Sequence, residues 1–122
     1  QETGGHSVNA GGEFGIASVP ENLQWAIEGE LGEVEQMYPV YLNAAEYQGE
    51  KDAMQTFHYA LEAEKIHAVL FAQAQDASRA GKDFPESGQT IYICPVCGFT
   101  GIGDAPEHCP VCGVKKARFK NF

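Results

Sequence analysis

Basic residues are scarce in this chain of 122 residues: 8 Lys and Arg stand against 17 Asp and Glu, for a formal charge of −9. A surface of that sign repels phosphate backbones and acidic lipid headgroups, which excludes nucleic acid and anionic membranes as natural partners. Long apolar runs are missing too. No segment approaches the ~20 consecutive apolar residues that a bilayer core requires, so a spanning helix is excluded. Gln1 to Gly12 lack the basic start and apolar core of a secretory leader, and no initiator Met is present. The chain reads as processed, truncated or cut from something longer. Cysteine is absent before Cys94 and after Cys112, which leaves no disulfide framework for the rest of the chain. The 43% hydrophobic content is that of a soluble globular protein with one domain or two small units.

What cysteine there is has a pattern. Cys-Pro-Val-Cys-Gly occurs at Cys94 to Gly98 and again at Cys109 to Gly113, a spacing of C-x2-C-x11-C-x2-C. This spacing suits four thiolates on one tetrahedral metal better than two disulfides. Metal-bound thiolates sit comfortably in a reducing cytoplasm, where disulfides are rare, and a cytoplasmic location is expected. Zinc takes the same four thiolates as iron, so the ligands alone leave both metals open. Gly98 and Gly113 follow the second Cys of each pair, where they let backbone N–H groups turn toward sulfur and tune an Fe(Cys)4 potential. Tyr92, Phe99 and Phe119 are candidates for excluding water around the centre. The unit, residues 90–122, is too short to fold on apolar burial alone and should depend on its metal.

Upstream, Gly4, Gly5, Gly11, Gly12 and Gly15 make residues 1–17 a flexible linker or long loop. Ser18-Val19-Pro20-Glu21 has the form of a capping box that opens a helix. From Leu23, the residues Ile27, Glu30, Val34, Met37, Tyr41 and Ala44 form one seam, with Gly49 as the stop and Pro39 as an expected kink. A second helix should start near Glu50 to Asp52 and run to about Gly81, with Met54, Phe57, Leu61, Glu64, Ala68 and Phe71 along its seam. The short joint folds the two into an antiparallel hairpin over residues 18–81, whose open faces call for two more helices. Residues 82–89 read as a linker to the Cys unit. The expected fold class is mostly α with a small metal-bound β unit, the hairpin forming half of a four-helix bundle.

Glu28, Glu35, Glu46 and Glu62 fall on solvated faces, but Glu30 and Glu64 occupy steps where the seam calls for an apolar residue. Burying an unpaired carboxylate costs several kcal/mol, so each needs a cation, either a metal or a buried basic partner. His67 favours the metal, because Glu64-x-x-His67 places a hard oxygen and a borderline nitrogen one turn apart on one face. Gly29 and Gly32 weaken a helix interior and imply that a helix or ligand approaches closely there. His6, His58 and His108 lack partners at ligand spacing and read as surface or hydrogen-bonded residues. Trp25 and Tyr47 are expected to pack against neighbouring helices. Lys115, Lys116, Arg118 and Lys120 make a basic tail, either a solvated end or a docking surface for an acidic bundle.

Three stretches in this order resemble the C-terminal part of rubrerythrins: Ile27-Glu28-Gly29-Glu30-x-x-Glu33-x-x-x-Met37-Tyr38-Pro39, Ala60-Leu61-Glu62-Ala63-Glu64-Lys65-Ile66-His67, and Ala105-Pro106-Glu107-His108-Cys109. The resemblance covers about residues 19–122. It implies a ferritin-like four-helix bundle with a non-haem di-iron site, followed by a rubredoxin-like Fe(Cys)4 domain. By position, Glu30, Glu33, Glu64 and His67 match di-iron ligands, and Cys94, Cys97, Cys109 and Cys112 match the rubredoxin ligands. Glu33 matches the carboxylate linked to redox-dependent ligand exchange and Tyr38 a tyrosine near the site, which makes these two the candidate catalytic residues. The implied activity is reduction of hydrogen peroxide, with electrons delivered through the Fe(Cys)4 centre from a donor such as rubredoxin or an NAD(P)H-linked reductase. Zinc substitution at the Cys site is allowed for. A family member also supplies a first helix pair with further ligands, where this chain has a Gly-rich segment. Either a second copy or a separate chain carrying the N-terminal half would complete the set, the separate chain being favoured, and a monomer is not expected. Two other readings are an electron-transfer or structural metal module without catalysis, and ferritin-like iron oxidation.

Overall fold

The computed structural model describes residues 7–9 and 12–122, with side chains from residue 15 onward. The helical part opens where the capping box lies. Ser18 is extended, and both its N–H and its hydroxyl donate to the Glu21 carboxylate, at 3.0 and 2.5 Å. Helix α1 then runs Val19–Gly32, continues through a π-helical turn at Glu33–Met37, and resumes as α2, Tyr38–Gln48. The disturbance expected at Pro39 therefore takes the form of a widened turn just before it. Proline offers no N–H and its ring crowds the carbonyl four residues back, that of Glu35. The π turn relieves this by carrying the Tyr38 N–H to the Glu33 carbonyl, five residues back.

The widened turn takes up an extra residue and rotates everything after it. Ala45 is buried at 5% exposure, whereas Ala44, the residue expected on the seam, is exposed. Tyr47 is likewise displaced. Expected to pack against a helix, it stands 93% exposed, while Trp25 is half-buried as expected. Gly49, in the left-handed conformation, ends α2, and α3 runs back antiparallel as Lys51–Arg79, stopping two residues short of Gly81. The buried apolar residues of the hairpin are all small, Ala45, Ala63 and Ala68, and the larger Ile27, Val34, Met37, Phe57 and Leu61 are half-buried. Near the far end the buried Gln75 of α3 donates to the Pro20 carbonyl at 2.9 Å and to Gln24 Oε1 at 3.0 Å, which pins α3 to the start of α1. No described helix is long and apolar enough to cross a membrane.

Within the segment expected to be a linker, β1 (Ser7–Asn9) and β2 (Gly12–Phe14) pair antiparallel, Val8 opposite Glu13. The Cys unit is built on a second sheet of order β4-β3-β5: β3 is Ile91–Ile93, β4 Thr100–Ile102 and β5 Lys120–Asn121, all antiparallel. Tyr92 of β3 lies across Gly101 of β4, where a Cβ would collide with the phenol oxygen. Its ring packs edge-on against Phe119 with centroids 5.4 Å apart and tilts toward Phe99 at 6.1 Å. The unit rests on α3. Tyr59 packs against the thiol cluster, and a Cβ placed on Gly98 would lie 3.2 Å from that of Ala63, itself 3% exposed. Small residues on both sides let the two backbones meet.

Candidate metal centres

The four cysteines converge as free thiols. Cys94 and Cys112 have their Sγ atoms 3.5 Å apart, Cys97 and Cys109 3.4 Å. A disulfide would need about 2.05 Å, whereas a tetrahedral ion with metal–sulfur bonds of about 2.3 Å separates its sulfurs by about 3.8 Å. All four Sγ lie within 4.8 Å of one another. Both Cys-Pro-Val-Cys-Gly loops are wound alike: the N–H of Gly98 donates to the Cys94 carbonyl and that of Gly113 to the Cys109 carbonyl, each at 2.9 Å. With φ of +82° and +76°, Gly98 and Gly113 occupy the left-handed region that turns the following amide inward. The N–H of Phe99 then points at Cys97 and that of Val114 at Cys112. Burial pushes the Cys109 thiol up, but the N–H groups of Cys112 and Val111 outweigh it and hold the group down to about 7. Amides aimed at sulfur favour thiolates, the form that binds metal, although at Cys97 and Cys112 burial outweighs them and the thiols are raised. Cys94, Cys97 and Cys109 are buried and Cys112 is partly exposed.

A second cluster gathers on the hairpin. Glu30 comes from α1, Glu33 from the first position of the π turn, and Glu64 and His67 from successive turns of α3. His67 Nδ1 lies 2.7 Å from Glu64 Oε2 and 4.0 Å from Glu30 Oε1. Ligand atoms of Glu30, Glu64 and His67 all fall within 4.8 Å of one another, and Glu33 shares a hydrogen bond with Glu64. Half-burial and crowding of like charges set the electrostatics. Glu30 is pushed up to about 8, first by burial and then by its hydrogen bond to Glu64 and the charge there. Burial and the Glu64 charge raise Glu33 as well. Glu64 is held below the usual range by its hydrogen bond to His67, which in turn raises the imidazole against the effect of burial. Three carboxylates with one imidazole thus converge on one spot with no Lys or Arg among them, a hard-oxygen and nitrogen set suited to a divalent cation.

Beside this cluster, Tyr38 leads an aromatic group. Its ring lies 6.2 Å from that of Tyr41 and 6.4 Å from that of Phe57, and Tyr41 and Phe57 are 5.4 Å apart. Burial, followed by the charges of Glu33, Glu64 and Glu30, raises the phenol so that it keeps its proton. Sequence reading missed the outer side of His67. Its Nε2 lies 3.1 Å from the Gly98 carbonyl and 3.1 Å from Thr100 Oγ1, and the Thr100 hydroxyl donates to the same carbonyl at 2.8 Å. Thr100 and Gly98 carry no ligand motif, and only the packing of the Cys unit on α3 brings them here.

Other expectations resolve simply. His58 is exposed beside the Tyr59 ring, and exposed His108 pairs through its backbone with Lys115. His6 lies outside the described residues. A Cβ on Gly29 or Gly32 would meet nothing within 4 Å, so no described part of the chain makes the close approach expected there. Lys115, Lys116, Arg118 and Lys120 are all exposed, Lys116 lying 3.8 Å from Glu107.

Comparison with known proteins matches both parts. The family model described as Rubrerythrin covers residues 8–75, and the one described as Rubrerythrin, rubredoxin-like domain covers residues 92–120. Rubrerythrin-2 of Clostridium acetobutylicum is 59% identical over 116 residues, 95% of this chain and 62% of that protein. Nigerythrin of Nitratidesulfovibrio vulgaris is 32% identical over 101 residues, 83% of this chain and 48% of that one. Among solved structures, nigerythrin in its fully reduced, all-ferrous state superposes with a TM-score of 0.79 at 28% identity, over 89% of this chain and 52% of that one. The partially reduced state gives the same TM-score and coverage. The chain therefore spans about half to three-fifths of the length of these relatives.

Proposed function

The chain belongs to the rubrerythrin family, and we propose that it forms the part of a non-haem di-iron peroxidase that joins half of the metal-binding bundle to an Fe(Cys)4 unit. The observation that carries the reading is the convergence of Glu30, Glu33, Glu64 and His67 directly beneath the Cys unit. When bound, a pair of irons supplies the two electrons that, with two protons, convert hydrogen peroxide to two waters, and the Cys-bound iron supplies replacements one at a time.

The chain's own residues do the rest. Glu30, Glu64 and His67 hold ligand atoms in reach of one ion, and their mutual crowding is relieved when that ion replaces the retained protons. Glu33 stands at the first position of the π turn and hydrogen-bonds Glu64, which places its carboxylate where it can exchange partners. Tyr38 holds a proton on Oη close to the carboxylates, where it can donate a hydrogen bond to an oxygen substrate. At the Cys unit, inward amides stabilise the more negative, reduced state of the centre.

The remaining ligands come from a second copy or from an N-terminal half of the bundle, and electrons enter from rubredoxin or an NAD(P)H-linked reductase in the cytoplasm. Elemental analysis with peroxide turnover tests the reading. Iron at both centres, thiolate-to-iron colour and donor-dependent peroxide loss are expected. A colourless protein with one zinc per chain and no turnover would leave only a structural metal module.

A further inference from the structure

His67 faces two ways. Nδ1 looks at Glu64 and Glu30, while Nε2 looks at the Cys unit, 3.1 Å from both the Gly98 carbonyl and Thr100 Oγ1. The Thr100 hydroxyl hydrogen is already committed, since it donates to the Gly98 carbonyl at 2.8 Å. Thr100 therefore turns a lone pair toward Nε2, and the carbonyl is an acceptor in any case. Two acceptors on one nitrogen require that it carry a proton. Nδ1, which donates to the Glu64 carboxylate at 2.7 Å, is then the nitrogen left to exchange its proton for a cation in the carboxylate cluster.

We propose that Thr100 and the Gly98 carbonyl are positioning groups for His67, so that docking of the Cys unit on its own chain's α3 sets the tautomer and ring orientation needed for a divalent metal at Glu30, Glu64 and His67. The inference rests on the reading of those three residues as metal ligands. The contact that enforces it is the meeting of Ala63 and Gly98, where no side chain larger than a methyl fits between the backbones. The same hydrogen bond ties the centres together, because the Gly98 carbonyl belongs to the residue after Cys97, one of the four clustered thiols. Within this chain, His67 is thus linked to the sulfur of Cys97 by one hydrogen bond and the short run of backbone and side-chain bonds from the Gly98 carbonyl. By linkage, occupancy of the bundle site tightens docking of the Cys unit to the degree that docking tightens the site.

The test uses the full chain in its native assembly, with the Cys site filled by zinc and Co2+ titrated into the bundle site, followed by absorption and calorimetry. Thr100→Val keeps the strand-favouring shape but removes the acceptor, and Co2+ affinity should fall about 10–100-fold, the range for lost outer partners of ligating histidines. Thr100→Ser should restore it, with zinc content unchanged throughout. Ala63→Leu, whose side chain meets Gly98 of the Cys unit, should cause a similar loss by lifting that unit away. As a second readout, 15N spectra of a zinc-loaded sample should show an Nε2 proton of His67 held in a hydrogen bond in the wild type and Thr100→Ser but not in Ala63→Leu. Unchanged Co2+ affinity in both Thr100→Val and Ala63→Leu overturns the inference alone. Failure of the wild type to take up Co2+ overturns the metal reading of the bundle residues and the inference with it.

Discussion

The Cys unit and the helical hairpin each gather residues able to hold a metal, in opposite ways. In the Cys unit every donor comes from one short stretch. Its two loops repeat the same pair of backbone hydrogen bonds, and three of the four sulfurs are buried by the unit's own residues together with Tyr59. In the hairpin the donors come from α1, the π turn and α3, remain half-buried, and crowd one another electrostatically. The lesson concerns what each region needs in order to stand. The Cys unit has little apolar core without its ion, whereas the hairpin keeps its helices and has only its site stressed.

That contrast is most exposed by metal removal. Stripping the Cys site, or making Cys109→Ser, should unfold residues 90–122, since structural thiolate sites contribute on the order of 10 kcal/mol of folding free energy. Circular dichroism should retain the helical signal while the amide spectrum of the Cys unit collapses. Retained dispersion there would contradict the contrast.

Next in size is a crossed effect on activity. Glu64→Ala or His67→Ala should lower peroxide reduction by more than the 10–100-fold typical of outer partners, with the thiolate-to-iron colour kept. Cys109→Ser should lose the colour and donor-driven turnover, yet a chemically reduced sample given enough excess iron to refill the weakened bundle site should still consume about one peroxide per bundle centre. Full peroxide activity in His67→Ala would remove the bundle from the mechanism.

A pH dependence separates the regions more gently. Glu30 rises in the fold from its ordinary 4.5 to about 8, so its contribution to stability is present below 4.5 and lost as the pH climbs through about 8. His67, raised from 6.5, acts in the same direction: its contribution is present below 6.5 and lost above its folded value. Glu64, lowered, contributes above 4.5 and loses that as the pH falls. With zinc in the Cys site and the bundle site stripped, thermal melts should therefore show the hairpin weakening from about pH 5 to about pH 8. Glu30→Gln should flatten that slope, and an unchanged slope would deny the crowding of the carboxylates.

The smallest effects are purely structural and local to each region. Gly101→Ala should destabilise the Cys unit by about 1–3 kcal/mol, because the new methyl overlaps the Tyr92 phenol. Gln75→Ala should destabilise the hairpin by about 1–3 kcal/mol, as the Pro20 carbonyl and Gln24 lose a buried donor. Each should leave the melting of the other region unmoved.

Much of this molecule is decided by residues close together in the chain, and that part is legible without coordinates. The Ser18 to Glu21 cap, the stop at Gly49, the paired Cys loops and the one-turn spacing of Glu64 and His67 each involve neighbours within a turn or two, so backbone geometry alone brings them together. What needed the tertiary structure is whatever depends on how one element lands on another. The π turn before Pro39 moved the buried step from Ala44 to Ala45 and left Tyr47 in solvent, because one extra residue in a turn rotates all that follows. The hydrogen bonds of His67 to Gly98 and Thr100, and of Gln75 to Pro20, join residues far apart in sequence whose types are common and carry no pattern. Their meeting is set by the packing of small residues such as Ala63 and Gly98, and packing is a property of pairs of surfaces that no single stretch of sequence contains.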